Sequence, residues 1–173
     1  MCYACKKRVL VAFQDETWTE LYPRVEAKWM VKGKQDRIDT PGYNKRRNVF
    51  VTLFWPTKEF VYNTFGKRRS KEFKAHLSNV IAYAWRHGTK KIMLFIDHAT
   101  YHKTKNVKRF TKKHPILKVK FLPKRAPHLN PVEKLVNAPL KSVVCSNRSY
   151  RSIEQVMKNT HRFFRKYRKN SYT

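Results

Sequence analysis

The sequence predicts an α/β fold, in which a mixed sheet of about five strands is flanked by helices. Short segments of alternating or uninterrupted apolar residues, typical of strands, are interspersed with longer segments whose apolar residues recur at helical spacing. The 173 residues are 41% hydrophobic and 14% aromatic, and disordered chains lack such apolar content. We therefore expect one folded domain over residues 1–173, with its core at about 8–168.

The first predicted strand covers about residues 8–15 and ends in an acid. Val9, Val11 and Phe13 alternate with less apolar or polar neighbours, and Asp15 continues their face of the strand. The neighbouring Glu16 competes for the same role, but the alternation with Phe13 favours Asp15.

A β-hairpin is predicted next. Residues 17–47 mix tryptophans with proline and glycine, so we expect short strands joined by loops. The segment from Asn48 to Trp55 is strongly β-forming, and Pro56 ends it. Residues 60–65 resume the pattern after a short turn, which indicates an antiparallel pair.

The pattern then changes to helical spacing, with Ser70 as the expected N-cap and Gly88 as the stop. The apolar residues at this spacing are Phe73, Leu77, Val80, Ile81, Ala84 and Trp85. Residues 92–96 are apolar without interruption, as expected of a strand buried on both faces, and Asp97 follows directly.

Two further helices and a strand are predicted before the last helix. A basic helix extends from Lys103 to Lys113, and the alternation in residues 117–121 indicates a strand with one solvated face. Asn130 followed by Pro131 opens the next helix. The last helix has an apolar stripe formed by Ile153, Val156, Met157, Phe163, Phe164 and Tyr167.

This order of elements resembles the RNase H-like arrangement, in which the first strand is central and the fourth lies parallel to it. That topology brings Asp15 and Asp97 to neighbouring strand ends and places Glu133 on a following helix. Acids next to buried apolar residues are costly unless they are paired or bind a metal, which favours a functional role.

The charge of the chain indicates a polyanionic partner. The sequence contains 40 Lys and Arg against 11 Asp and Glu, a formal net charge of +29. Nucleic acid is the expected partner, and a ribosomal or chromatin-type protein would share this composition. No apolar stretch approaches 18 residues, so we expect no membrane span and an intracellular, cytoplasmic location.

Three motifs resemble the catalytic domain of a DDE transposase, in the insertion-sequence branch nearest the mariner-like elements. They are Gln14-Asp15-Glu16-Thr17, Ile96-Asp97-His98-Ala99, and the block from Leu122 to Leu135 that contains Asn130-Pro131-Val132-Glu133. The last block is long and distinctive, and 35 residues separate Asp97 from Glu133, close to the usual spacing of this branch.

The resemblance implies that Asp15, Asp97 and Glu133 are catalytic and hold two Mg²⁺ ions, with Mn²⁺ able to substitute. It implies metal-dependent cleavage and transfer of DNA strands for a prokaryotic insertion sequence, in association with the nucleoid. The partners are then the ends of the element and a target duplex, and a homodimer in a synaptic complex is the implied assembly. Three His side chains and nine cations are expected to contact DNA. The expected DNA-binding residues are Lys45, Arg46, Arg47, Lys67, Arg68, Arg69, His98, His102, Lys103, Lys124, Arg125 and His128.

Two alternatives stay open at this level. Glu133 lies three residues after Asn130, where a capping-box partner belongs, so capping competes with metal binding. The family carries a helix-turn-helix region before its catalytic domain, yet 14 residues precede Asp15. We expect that region to be absent. The alternative function is a truncated, non-catalytic nucleic-acid-binding protein that binds DNA or modulates a full-length transposase.

The helix that carries Glu133 is expected to be short, or kinked near residues 135–139. Val136 stands where the family usually has Trp, and Pro139 follows within the expected helix. Proline removes a backbone donor and clashes with the preceding turn, at a cost of about 3 kcal/mol inside a helix. Glu133 precedes this point, in the first turn.

Overall fold

The computed structural model describes residues 9–34 and 37–170, so the predicted strand start at residue 8 lies outside the described residues. The strands are β1 (Val9–Glu20), β2 (Arg46–Trp55), β3 (Phe60–Phe65), β4 (Lys91–Ile96) and β5 (Leu117–Phe121). The α-helices are α1 (Ser70–Arg86), α2 (Lys105–Lys113), α3 (Ala138–Val144) and α4 (Ile153–Asn170). Short 3₁₀ turns occur at Thr100–Lys103 and Pro127–Leu129, and a π-helical segment at Glu133–Asn137 leads into α3.

The strands form one mixed sheet in the order β3-β2-β1-β4-β5, with β1 at its centre. β1 pairs antiparallel with β2 and parallel with β4, β2 pairs antiparallel with β3, and β4 pairs parallel with β5. The predicted fold class, hairpin and parallel fourth strand are therefore confirmed.

Helices cover both faces of the sheet because β2 is apolar on both of its faces. Val49 and Val51 pack on one face into a cluster with residues of α3 and α4, such as Leu140. Phe50 packs on the other face into a cluster with α1 residues such as Phe73. Successive side chains of a strand point to opposite faces, so this uninterrupted burial fixes a layer of helices on each side.

β4 alternates in burial and is less enclosed than its five apolar residues predict. Ile92, Leu94 and Ile96 are fully buried, whereas Met93 and Phe95 are half-buried. The prediction of a strand buried on both faces therefore holds for one face and only in part for the other.

The predictions for residues 8–47 need two corrections. β1 continues to Glu20, beyond the predicted end at Asp15, because its pairing with β2 extends to Glu20↔Arg46. The described residues between Glu20 and Arg46 form no further strand, and an isolated bridge joins Arg24 to Ser146.

Two helix starts also differ from the prediction. Ser70 is the first residue of α1 and Arg69 holds the N-cap position, with no side-chain capping bond. α2 begins at Lys105, not at Lys103, because Thr104 caps it by accepting a hydrogen bond from the Val107 N–H. Gly88 follows α1 with a φ of 63°, as expected of a helix stop.

In the described residues, no helix is long and apolar enough to span a bilayer.

The chain around Pro139 is disturbed where the sequence predicts, but it remains helical. The π-helical segment Glu133–Asn137 continues directly into α3, and the Ala138 N–H donates to the Glu133 carbonyl five residues earlier. The widened turn accommodates Pro139 near the start of α3, where a proline is tolerated.

Candidate active site

Asp15 and Asp97 lie at the same level of the sheet on neighbouring strands. The parallel pairing of β1 with β4 ends at Phe13↔Phe95, and each aspartate lies two residues further along its strand. β1 remains paired with β2 at this point, through Asp15↔Val51. The backbone of Asp15 is therefore held inside the sheet, although β4 has already ended.

An open cleft of about 820 Å³ brings the three predicted acids together. Asp15 and Asp97 line it from the sheet, and Glu133 lines it from the π-helical segment packed against β1. Basic residues line the same cleft, including Lys124 and Arg125. Carboxylates can hold a divalent ion and neighbouring cations can hold a phosphate, so this combination is expected where the two meet.

Asp15 is held by protein donors on both of its carboxylate oxygens. Oδ1 accepts from the Glu16 N–H at 2.9 Å, and Oδ2 accepts from Asn137 Nδ2 at 2.9 Å. Burial raises the pKa of Asp15 to about 7, and the charges of Glu16, Glu133 and Asp97 add to the increase. A nearby cation would relieve this electrostatic cost.

Glu133 uses its side chain differently from a capping-box residue. Its Oε2 accepts from Asn137 Nδ2 at 3.1 Å, across one helical turn. Asn130 caps the start of the helix, because its Oδ1 accepts a hydrogen bond from the Val132 N–H at 3.3 Å. The structure therefore favours a role for Glu133 in the cleft over the capping interpretation.

Asp97 is fixed by a buried histidine that also contacts Glu16. Asp97 Oδ1 lies 3.0 Å from His102 Nδ1 and accepts from the Ala99 N–H at 2.9 Å. His102 Nε2 lies 2.9 Å from Glu16 Oε1, and the His102 side chain is fully buried. Since both ring nitrogens face carboxylate oxygens, the geometry requires two donors, which means an imidazolium.

The pKa values agree with this protonation state. Burial alone would lower the pKa of His102, but its hydrogen bonds to Asp97 and Glu16 raise it to about 9. The same hydrogen bond from His102 lowers the pKa of Asp97 below its ordinary value. Asp97 therefore stays ionised and presents a side chain that is 52% exposed to the cleft.

Two sets of potential metal ligands are present, and they differ in openness. Among the described residues, the group of acids and histidines whose ligand atoms all lie within 4.8 Å of one another is Glu16, Asp97 and His102. His102 has both nitrogens engaged there and Glu16 is buried, so this group is a hydrogen-bonded network. Asp15, Asp97 and Glu133 are spread around an open cleft, which suits ions that keep water and phosphate ligands.

The predicted DNA-binding residues fall into several places. His98, Lys124 and Arg125 line the cleft with the acids, and Arg125 has a left-handed backbone with a φ of 58°. A second cleft is lined by Arg46, Lys67, Arg68 and Arg69 together with Trp18. The Arg68 guanidinium lies over the Tyr101 ring at 5.9 Å, and its charge contributes to the lowered pKa of Asp97. The remaining predicted cations and His128 are exposed: Lys45, Arg47, Lys103 and His128.

His98 and His102 differ in their surroundings, one at the wall of the cleft and the other buried. His98 Nε2 donates to the Leu122 carbonyl at 2.8 Å, and Lys103 Nζ donates to its Nδ1 at 2.9 Å. His98 is therefore oriented at the cleft wall. The side chain of His102 has no exposed surface, so its assignment as a DNA contact is wrong.

Asn137 and the Glu16–His102 pair are site residues that the sequence prediction did not assign to these roles. Glu16 alternates with the buried Gln14 on β1, and an acid on a buried face needs a partner. Asn137 follows Glu133 by four residues, which is the spacing of neighbours on one helix face. These patterns single out Glu16 and Asn137. They do not reveal from sequence that Glu16 contacts His102 or that Asn137 contacts Asp15.

A relative among known proteins is the "Insertion element IS630 uncharacterized 39 kDa protein" of Shigella sonnei. It is 28% identical to this chain over 159 residues, which are 92% of this chain and 46% of that protein. The chain thus spans about half the length of this curated relative.

Solved structures of the Mos1 mariner transposase share the fold. The paired-end complex with the left transposon end gives a TM-score of 0.70 at 15% identity, over 94% of this chain and 51% of that one. The paired-end complex with Mn gives 0.71 at 15% identity, with the same coverage. The isolated Mos1 catalytic domain gives 0.63 at 15% identity, over 94% of this chain and 75% of that one.

The family described as "DDE superfamily endonuclease" matches residues 10–157, which contain all three acids of the cleft. This match covers most of the chain, and the Mos1 structures share its overall fold. The chain belongs to the DDE superfamily of endonucleases.

Proposed function

We propose that the chain is the catalytic domain of an insertion-sequence transposase, which cleaves and transfers DNA strands with divalent metal ions. The observation that carries the proposal is the gathering of Asp15, Asp97 and Glu133 in one open cleft. A protein with 11 acidic residues and a net charge of +29 places three of those acids together there. Binding of nucleic acid alone gives no reason for such a cluster.

Asp15, Asp97 and Glu133 are the residues that would hold two Mg²⁺ or Mn²⁺ ions. Their fit is supported by the donor chemistry, since these ions prefer carboxylate oxygens, and by the raised pKa of Asp15. Bound ions would supply activation of the attacking oxygen and stabilisation of the departing one. The relatives solved with Mn and with Mg are consistent with this choice of metal.

The residues around the acids have separable tasks in this proposal. Lys124 and Arg125 would hold the phosphates of the strand that is cut, because they line the cleft that contains the acids. Arg68 and its neighbours in the second cleft would hold the duplex beside it. His102 would keep Asp97 ionised and correctly oriented.

The experiment that tests the proposal is nicking of supercoiled duplex DNA by the purified chain with Mg²⁺ or Mn²⁺. We expect cleavage that depends on metal and is lost, by at least about 100-fold, in Asp97→Asn, because that variant removes a charged oxygen ligand. Asp39→Asn is the matched control, since Asp39 is exposed and outside the cleft residues. It should cut DNA as the wild type does.

Two outcomes of this experiment would contradict the proposal. DNA binding that falls steeply with salt, without cleavage by either metal, would support the non-catalytic nucleic-acid-binding alternative. Cleavage that persists in Asp97→Asn would show that the activity does not use this cleft.

We further propose that two copies of the chain associate through residues 25–31. Val25, Trp29, Met30 and Val31 are exposed in this segment, with Trp29 exposed completely and Val25 by 78%. Such clustered apolar exposure marks an interaction surface, and the solved Mos1 complexes include paired-end assemblies.

Light scattering at increasing protein concentration, with and without DNA, tests this association. Trp29→Ser should weaken the dimer at least about tenfold, because an exposed tryptophan is a common interface hot spot. Trp85→Ser removes another exposed tryptophan, on α1, and should leave the dimer intact. Equal effects of the two variants, or a monomeric wild type, would argue against this surface.

A further inference from the structure

We infer that Asn137 is a positioning residue, which orients the Asp15 and Glu133 carboxylates so that they receive a divalent cation. The inference rests on the proposed metal site and adds to it a residue outside the acidic trio. Asn137 carries no charge and is not a ligand in this assignment.

One amide group contacts two acids that are far apart in sequence. Asn137 Nδ2 donates to Asp15 Oδ2 at 2.9 Å and to Glu133 Oε2 at 3.1 Å. An amide nitrogen carries two hydrogens, and here each hydrogen has a carboxylate acceptor. The amide therefore links the sheet to the π-helical segment at the point where their two acids meet.

The orientation of this amide is determined by the acids. Exchanging its nitrogen and oxygen would place an acceptor against two carboxylate oxygens, which is repulsive. In the observed orientation Oδ1 is buried without a hydrogen-bond partner in the described structure, which costs desolvation free energy. The two hydrogen bonds to Asp15 and Glu133 therefore offset the cost of the unsatisfied Asn137 Oδ1.

Asn137 lies behind the acids and not between them and the cleft. It is fully buried, and it is absent from the cleft lining to which Asp15 and Glu133 both belong. Its hydrogen bonds therefore come from the protein side and leave the cleft side of each carboxylate for an ion. Residues in this outer position typically change metal affinity by about 10- to 100-fold when they are removed.

Asn137 and its hydrogen-bond partner Glu133 both belong to the π-helical segment. Glu133 and Asn137 begin and end this segment, and the widened turn buries Val136 and Asn137 in succession. Val136 joins the apolar cluster on that face of the sheet, while Asn137 reaches Asp15. Asn137 thus ties the last residue of the π-helical segment to β1.

Mn²⁺ affinity of the full chain, measured by calorimetry or by the electron paramagnetic resonance of free Mn²⁺, tests the assignment. Asn137→Ala and Asn137→Leu both remove the donors, the first leaving a cavity and the second filling it. We expect each to weaken Mn²⁺ binding by about 10-fold or more. Thr160→Val is the control, because the buried Thr160 hydroxyl contacts Thr19 and Val156 and no acid. It should lower the melting temperature and leave Mn²⁺ affinity unchanged.

Each remaining outcome overturns the inference in a recognisable way. Unchanged Mn²⁺ affinity in both Asn137 variants, with a lower melting temperature, would make Asn137 a packing residue. Tighter binding would mean that its amide competes with the ion. If the wild type binds Mn²⁺ no better than Asp15→Asn does, the proposed metal site fails as well. If Asp15→Asn loses the ion and Asn137→Ala keeps it, the positioning role alone fails.

Discussion

At the scale of single residues, the neighbours Asp15 and Glu16 have divergent roles because a strand sends them to opposite faces. Asp15 lines the open cleft with Glu133 and accepts a hydrogen bond from the buried Asn137 behind it, whereas Glu16 meets His102 in a buried position. A burial-raised pKa on Asp15 and an imidazolium beside Asp97 are the electrostatic results. The same pair of adjacent acids thus supplies one cleft-facing group and one buried counter-charge.

His102 should titrate far above an ordinary histidine in the metal-free protein. NMR of its ring nitrogens should show both protonated at pH 7.5 and a pKa of about 9. This pKa exceeds the 6.5 of the unfolded chain, so the stabilisation from His102 is complete below pH 6.5. It is lost as the pH rises through about 9.

A substitution on β1 tests whether the neighbouring carboxylates raise the pKa of His102. Glu16→Gln removes one of the two carboxylates that face His102, so the pKa of His102 should fall. Glu20→Gln is the control, since Glu20 contacts Trp18 and Asn44 and not His102. A His102 pKa near 6.5 in the wild type would mean that the two carboxylates do not hold a proton between them.

At the scale of elements, the helical region after Asn130 depends on a bond from another helix. Pro139 has no N–H to offer to the Leu135 carbonyl, its partner four residues earlier in an α-helix. The Tyr167 hydroxyl of α4 donates to that carbonyl at 2.6 Å. A side chain from a distant helix therefore satisfies the acceptor beside the π-helical segment.

Tyr167→Phe should lower the free energy of unfolding by about 1–2 kcal/mol, because a partly buried carbonyl loses its donor. In Pro139→Ala the restored N–H can reach Leu135, so the same Tyr167 change should cost about 1 kcal/mol less. Urea unfolding of the four proteins in this double-mutant cycle gives the comparison. A coupling energy of zero would show that the hydroxyl does not substitute for the missing N–H.

At the scale of the whole molecule, cations line both the acidic cleft and the second cleft. Arg68 lies close enough to Asp97 to lower its pKa, and Lys67 and Arg69 line the second cleft with Arg68. These three cations follow the end of β3, at the end of the sheet where β4 stops. Lys91 begins β4, six residues before Asp97, and a strand rises about 3.3 Å per residue. Cations at that other end are therefore about 20 Å from the proposed chemistry.

Replacing Lys67, Arg68 and Arg69 by alanine should weaken DNA binding and reduce the slope of log affinity against log salt by about 2–3. Each cation that neutralises a phosphate contributes about 0.9 to this slope. The matched control replaces Arg86, Lys90 and Lys91, which lie at the opposite end of β4. Fluorescence anisotropy with duplexes of unrelated sequence gives both quantities. Equal losses in the two triple variants would mean that DNA has no preferred path beside the acids.

The sequence by itself determined the fold class, the order of the elements and the presence of three acids near strand or helix ends. Apolar periodicity is a local property, so it predicts β2, β3 and β5 nearly to the residue. It ended β1 too early, because the continuation to Glu20 depends on pairing with β2 and not on apolar alternation.

Tertiary structure decided which side chains work together. Glu16 and His102 are 86 residues apart, and Asn137 and Asp15 are 122 apart, so no local pattern could pair them. It also decided that His102 is buried and cannot touch DNA. The physical reason is that backbone preference and apolar spacing act over a few residues. Burial, hydrogen-bond partners and pKa values depend on which distant residues become neighbours in the folded chain.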